Sequence, residues 1–164
     1  MTHWIRFEHE GAVGFGTVAD DTIEVHEGDM FAAPTATGAR LRLEQVTTLT
    51  PTAAGKMVAL WNNSRAVAEK LGQKEPAEPL YFIKANGSYL ATGGTIRKPA
   101  AYDGKVVFEG ELGIVIGKVC RAVPEADSAG HIFGYTCVND VTAAGIFAED
   151  PTFQPWTRAK SFDT

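Results

Sequence analysis

The chain has 164 residues, 45% of them hydrophobic and 21% charged, with 15 lysines and arginines against 20 aspartates and glutamates for a net charge of -5. That composition suits a globular protein with a buried core, and an acidic chain without a basic cluster lacks the footprint of a nucleic-acid binder or of a partner for anionic membranes. No run of eighteen apolar residues occurs and the start MTHWIRFEHE has no apolar signal core, so a cytoplasmic protein is expected; Cys120 and Cys137 are too few and wrongly spaced for a zinc site or a disulfide framework and read as buried thiols.

Residues 3–50 read as a small β-rich unit. Strands at 4–7, 13–18 and 22–25 form a meander, with turns at Glu10 and Gly11 and at residues 19–21. The stretch DMFAAPTATGA is looser, residues 41–49 hold another strand or two, and residues 51–55 form a linker. A second unit opens with the strand MVALW, residues 57–61. Asn62, Asn63 and Ser64 offer N-caps for a two-turn helix over 65–71, which Gly72 closes. The loop QKEPAEP leads to the strand LYFIKA, Gly93 and Gly94 punctuate the chain, and residues 105–119 read as one long strand. Pro124 opens a short helix in PEADSAG, GYTCVND returns as a strand, and the remainder mixes a helical turn with a Pro-punctuated loop. Strands outnumber helices and no βαβ rhythm appears, so the expected class is α+β and β-rich.

The run VVFEGELGIVIG carries the most informative pattern. Glu109 and Glu111, two apart on a strand, project from one side, while Phe108, Gly110 and Leu112 project from the other; Gly113 and Gly117 clear space beside the carboxylates. Two like charges on a partly buried face repel, unless each finds a cation, one is protonated, or a metal lies between them. Asp140, following the strand GYTCV, could converge with the pair, and three carboxylates suit a hard divalent cation. The competing reading pairs Glu109 and Glu111 with Lys105 or Lys118 and makes Asp140 a cap or turn residue.

Three segments in order, VVFEGELGIVIG, GYTCVNDVTA and TRAKSFDT, joined by LWNN and PAEPLYFIKANGSYL, make the chain resemble the fumarylacetoacetate hydrolase superfamily, most nearly its hydroxymuconate isomerase and decarboxylase branch. The resemblance covers nearly everything from Met57 onward. It implies a small N-terminal β domain over 1–52 and, over 53–164, the N-terminal part of a catalytic domain built as a mixed β roll. It also implies Mg²⁺ or Mn²⁺ held by Glu109, Glu111 and Asp140. Lys160, in KSFDT, would hold a substrate oxygen or carboxylate as a point charge, and Thr164 would lie near the substrate. Substrates would be 1,3-dicarbonyl or enol diacids whose developing enolate the cation stabilises. The implied function is a 2-hydroxymuconate-type isomerase or decarboxylase of aromatic-acid catabolism. The alternatives are a carbon-carbon hydrolase of the fumarylacetoacetate or acylpyruvate type, an oxaloacetate decarboxylase, and a non-catalytic module that binds metal and diacid.

Some positions depart from the family pattern. Many hydrolytic members place a His and a Glu on the helix read here as SRAVAEKLG; this chain has Arg65 near the expected His, with Glu69 one turn later. An arginine stays protonated and cannot act as a general base, so isomerisation or decarboxylation gains over hydrolysis, and the two side chains also read as an exposed helix pair. Ala144, Gly145, Ile146 and Phe147 stand where hydrolases often carry substrate-contacting Arg, Asp and Gln. His3, His9, His26 and His131 match no functional position. The chain stops at Thr164 inside a motif that similar proteins continue, so a fragment of a longer protein is expected, and similar proteins suggest a homodimer.

Overall fold

A computed structural model describes residues 1–149, 152 and 155–163; Thr164 lies outside the described residues. In chain order the elements are β1 (Trp4–His9), β2 (Ala12–Ala19), β3 (Thr22–Glu27), β4 (Thr35–Arg42), β5 (Thr47–Thr48), β6 (Met57–Trp61), α1 (Arg65–Leu71), β7 (Leu80–Lys84), β8 (Val106–Val107), β9 (Gly110–Ile116), α2 (Glu125–Ser128), β10 (Ile132–Asn139), β11 (Thr142–Ala143), α3 (Gly145–Glu149) and α4 (Trp156–Lys160). The strand pairings among described residues are all antiparallel. Among the described residues, no helix is long and apolar enough to cross a membrane. Contacts group the chain into two compact units, residues 1–53, 90–94 and 110–139 in one and residues 54–89, 95–109 and 140–164 in the other.

In the first unit, the sheet runs β4-β3-β2-β1-β5. Its two tightest hairpins turn at Glu10–Gly11 and Asp20–Asp21, and all four of these residues have positive φ. This backbone matches strand twist, and Asp tolerates it through local hydrogen bonding. Ile5, Phe7 and Ile23 are buried on one face with Val18, Val25, Leu41, Leu43 and Val46 packed around them. The β9-β10 hairpin belongs to the same unit, where Phe133 meets Trp4 and Phe31 with ring centroids 5.9 and 4.9 Å apart.

The second unit holds the β6-β7 and β8-β11 pairs with helices α1, α3 and α4. Tyr102, Ala143, Ile146 and Ala159 form its core. The Tyr102 hydroxyl donates to the Lys105 carbonyl and accepts from the Gly145 N–H, at 2.9 and 2.7 Å. Trp156 gathers Trp61, Phe82 and Phe147 around its ring. Helix α1 spans the residues expected, and Gly72 ends it in the left-handed conformation at φ 65°.

Four expectations need correction. The supposedly loose DMFAAPTATGA contains most of β4, an edge strand whose residues are nearly all exposed and therefore show no hydrophobic alternation. The long strand over 105–119 is two strands, because the chain pairs with β11 through Val106 and Val107 and then, past Phe108 and Glu109, pairs with β10. Gly113 and Gly117 make room for β10 side chains: a Cβ on them would sit 2.7 Å from Val138 Cγ2 and 2.7 Å from Phe133 Cβ. Both cysteines are exposed, since Cys137 shares the outer face of β10 with Tyr135 while Thr136 and Val138 are more sheltered.

Candidate metal centre

Two backbone hydrogen bonds and one core contact gather the charged side chains of the second unit. The Asp140 N–H donates to the Glu109 carbonyl at 2.9 Å, fixing the end of one strand against the start of the next. The Ala85 N–H donates to Ser161 Oγ at 2.9 Å, tying the end of β7 to the end of α4. Ala159, fully buried in the core, anchors α4 one residue before Lys160. The chain thereby brings Lys84, Glu109, Asp140 and Lys160 together from segments far apart in sequence.

Asp140 is the centre of the cluster. It is 2% exposed and faces two buried cations, Lys84 (7% exposed) and Lys160 (5%). Lys84 Nζ donates to Asp140 Oδ1, while Lys160 Nζ donates to Asp140 Oδ2 and to Glu109 Oε1, both at 2.7 Å. The Thr142 hydroxyl donates to Glu109 Oε1 and lies 3.1 Å from the Asp140 carbonyl. Burial would by itself lower the pKa of Lys160, but its hydrogen bonds to Asp140 and Glu109 and their charges more than offset that and hold it above the ordinary lysine value. Lys160 Nζ also stands 5.6 Å from the centre of the Phe82 ring.

Glu111 follows Glu109 by two residues, and Glu109, Glu111 and Asp140 each present a carboxylate oxygen such that all three lie within 4.8 Å of one another. Oxygens on opposite sides of one ion sit roughly 4.0–4.2 Å apart for Mg²⁺ and roughly 4.6–5.2 Å apart for Ca²⁺, given metal–oxygen distances of about 2.0–2.1 and 2.3–2.6 Å. The donor set is hard, and its spread is no wider than one divalent ion spans, so the residues fit such an ion.

Of the other expected residues, Glu69 is exposed on α1. Arg65, 87% exposed, pairs through Nε with Glu75 at 3.1 Å and not with Glu69, because the loop after α1 brings Glu75 back to it. Among the described residues, the ion pair of Glu109 is with Lys160, where the competing reading expected Lys105 or Lys118. Sequence reasoning did not single out Lys84 or Thr142. Lys84 ends an apolar strand and Thr142 begins one, and neither position signals burial beside a carboxylate.

Residues 56–164 match the family described as fumarylacetoacetate (FAA) hydrolase C-terminal, and residues 2–51 match the one described as Rv2993c-like, N-terminal. The chain belongs to the fumarylacetoacetate hydrolase family and has its β-rich α+β fold with a small N-terminal β domain. The mitochondrial oxaloacetate tautomerase FAHD1 of Arabidopsis thaliana is 41% identical over 110 residues, which are 66% of this chain and 49% of that protein. Among solved structures, 2-hydroxyhepta-2,4-diene-1,7-dioate isomerase from Mycobacterium marinum is 32% identical with a TM-score of 0.85, over 100% of this chain and 62% of that one. The 5-carboxymethyl-2-hydroxymuconate delta-isomerase from Mycobacterium smegmatis is 34% identical with a TM-score of 0.84, over 100% and 63%. The chain spans about half the length of the curated relatives it matches.

Proposed function

We propose that this protein is a metal-dependent enzyme acting on 1,3-dicarbonyl or enol diacids, with residues 53–164 carrying the catalytic part and residues 1–52 a small β domain before it. The observation that supports it best is the meeting of Glu109, Glu111 and Asp140 beside the buried ammonium of Lys160. Glu109, Glu111 and Asp140 would hold Mg²⁺ or Mn²⁺, whose chemistry there is stabilisation of enolate charge. Counting these described groups alone, all ionised, three carboxylates stand against the two ammonium groups of Lys84 and Lys160, a sum of one negative charge. A divalent cation reverses that sign and makes the site attractive to an anion. Lys160 then holds a substrate oxygen or carboxylate as a point charge.

Among reactions that pass through an enolate, isomerisation or decarboxylation of a 2-hydroxymuconate-type diacid fits best. Hydrolysis needs a general base to activate water, and Arg65 cannot be one; Glu69 alone, exposed on α1, is a weak candidate for that task. Two neighbours named for isomerisation of such diacids favour this reading. A second reading, tautomerisation or decarboxylation of oxaloacetate, is favoured by the similarity to a tautomerase of that acid. Turnover assays with Mg²⁺ against 5-carboxymethyl-2-hydroxymuconate, oxaloacetate and acylpyruvates separate them. The proposal expects turnover of a hydroxymuconate; cleavage of acylpyruvates alone would shift it to the hydrolase, and retained oxalate binding with no turnover to a binding module.

A further inference from the structure

The β6-β7 pair wears its charge on the wrong face. Residues opposed across it share a side, so Met57, Ala59 and Trp61 lie with Leu80, Phe82 and Lys84, and Val58 and Leu60 with Tyr81 and Ile83. The second set is the exposed one, apolar but for the Tyr81 hydroxyl, while the sheltered face ends in Lys84 at 7% exposure. Burying an ammonium is unfavourable unless a well-placed partner compensates it. Here the compensation is specific: Lys84 Nζ donates to Asp140 Oδ1, and Asp140 is itself 2% exposed.

The two lysines divide the carboxylate between them. Lys160 takes Oδ2 and also reaches Glu109, whereas Lys84 is bound to Oδ1. With the Asp140 N–H fixed to the Glu109 carbonyl, both the backbone and the plane of the carboxylate are set. The Lys84 backbone is held in turn, because its carbonyl accepts from the Tyr89 hydroxyl at 3.3 Å and the next N–H donates to Ser161. The terminal ammonium thus sits at the end of a fixed strand, where it can aim the carboxylate.

We propose that Lys84 is a positioning residue of the cation centre: it orients the Asp140 carboxylate so that one oxygen is offered alongside those of Glu109 and Glu111, and it touches neither substrate nor reacting atoms. The assignment rests on the cation-centre reading given above. Partners that hydrogen-bond a ligating group govern how well it binds, and their loss typically weakens metal binding about 10–100-fold.

The test is Mn²⁺ affinity, read by electron paramagnetic resonance titration of the 164-residue chain, for the wild type, K84M, K84Q and K84R. All are measured at a temperature where circular dichroism shows them folded. K84M and K84Q should bind Mn²⁺ about tenfold or more weakly. K84R, which keeps a cation with donors, should recover most of that loss, a rescue that a space-filling role would not give. If K84M does not fold, K84Q carries the same expectation. Wild-type affinity in the folded neutral variants would overturn the role of Lys84 alone. A wild-type chain that takes up no Mn²⁺ would instead remove the cation centre on which it rests.

Discussion

Replacing Asp140 by Asn keeps the shape of the side chain and removes the charge that two buried ammonium groups share. Lys160 retains Glu109 at 2.7 Å, but among the described residues the ion pair of Lys84 is with Asp140, so Lys84 is the group left stranded. Leaving one buried charge uncompensated costs roughly 3–5 kcal/mol. The amide oxygen of Asn still accepts a hydrogen bond, so the lower end, about 3 kcal/mol, is expected. For a chain of 164 residues each kcal/mol shifts Tm by about 2–4 °C, giving a fall of roughly 6–12 °C. Thermal melts by circular dichroism or calorimetry, run with chelator so that no cation offsets the lost charge, measure it. The sharper result lies in the double variant: D140N with K84M should melt higher than D140N alone, because the stranded ammonium is gone. A D140N melt within about 2 °C of wild type, or a double variant no more stable than D140N, would refute the reasoning.

Lys160 makes a prediction in alkali. Its folded-state pKa lies above the unfolded value, so its contribution to stability is complete below the ordinary 10.5 and is lost as pH rises through the raised value. K160M should therefore melt below wild type by a steady gap from about pH 7 to 9 that narrows above about pH 10.5; a gap that widens there would contradict the arrangement. The cysteines give a simpler check. Both are exposed, so dithionitrobenzoate should titrate Cys120 and Cys137 in the native chain without denaturant. Protection of Cys137 would mean that the outer face of the β9-β10 hairpin is covered in solution.

The acidic triad could be read from the chain because its signal is local. The motif sets Glu109 and Glu111 two residues apart, although Glu109 lies just before β9 and not within one continuous strand, and Asp140 follows a strand that the apolar run GYTCV announces. The extent of helix α1 was equally readable, with Gly72 as its end; Ser64 takes the N-cap position but makes no side-chain cap hydrogen bond. What escaped depends on partners distant in sequence. Lys84 meets a carboxylate 56 residues later, and nothing in LYFIKA says that its last side chain turns inward. The break at Phe108 and Glu109 comes from a change of pairing partner, from β11 to β10, inside a run whose strand propensity is continuous. Strand β4 has almost no buried residue, so no periodicity could mark it. The thiols are a similar case: lying in or beside an apolar strand does not say which face a side chain takes, and β10 shelters one face and leaves Tyr135 and Cys137 exposed.

The uptake of a divalent cation by the triad is most directly tested by Mn²⁺ titration of the wild type and of Glu111→Ala, followed by both thermal stabilisation and the resonance signal. Glu111 is one of the three carboxylates, and the Lys84–Asp140–Lys160 ion pairs do not include it. The wild type should bind one Mn²⁺ per chain and melt at higher temperature with it, and E111A, compared with its own metal-free Tm, should lose that stabilisation. An E111A response equal to that of the wild type would show that these three carboxylates do not hold the ion.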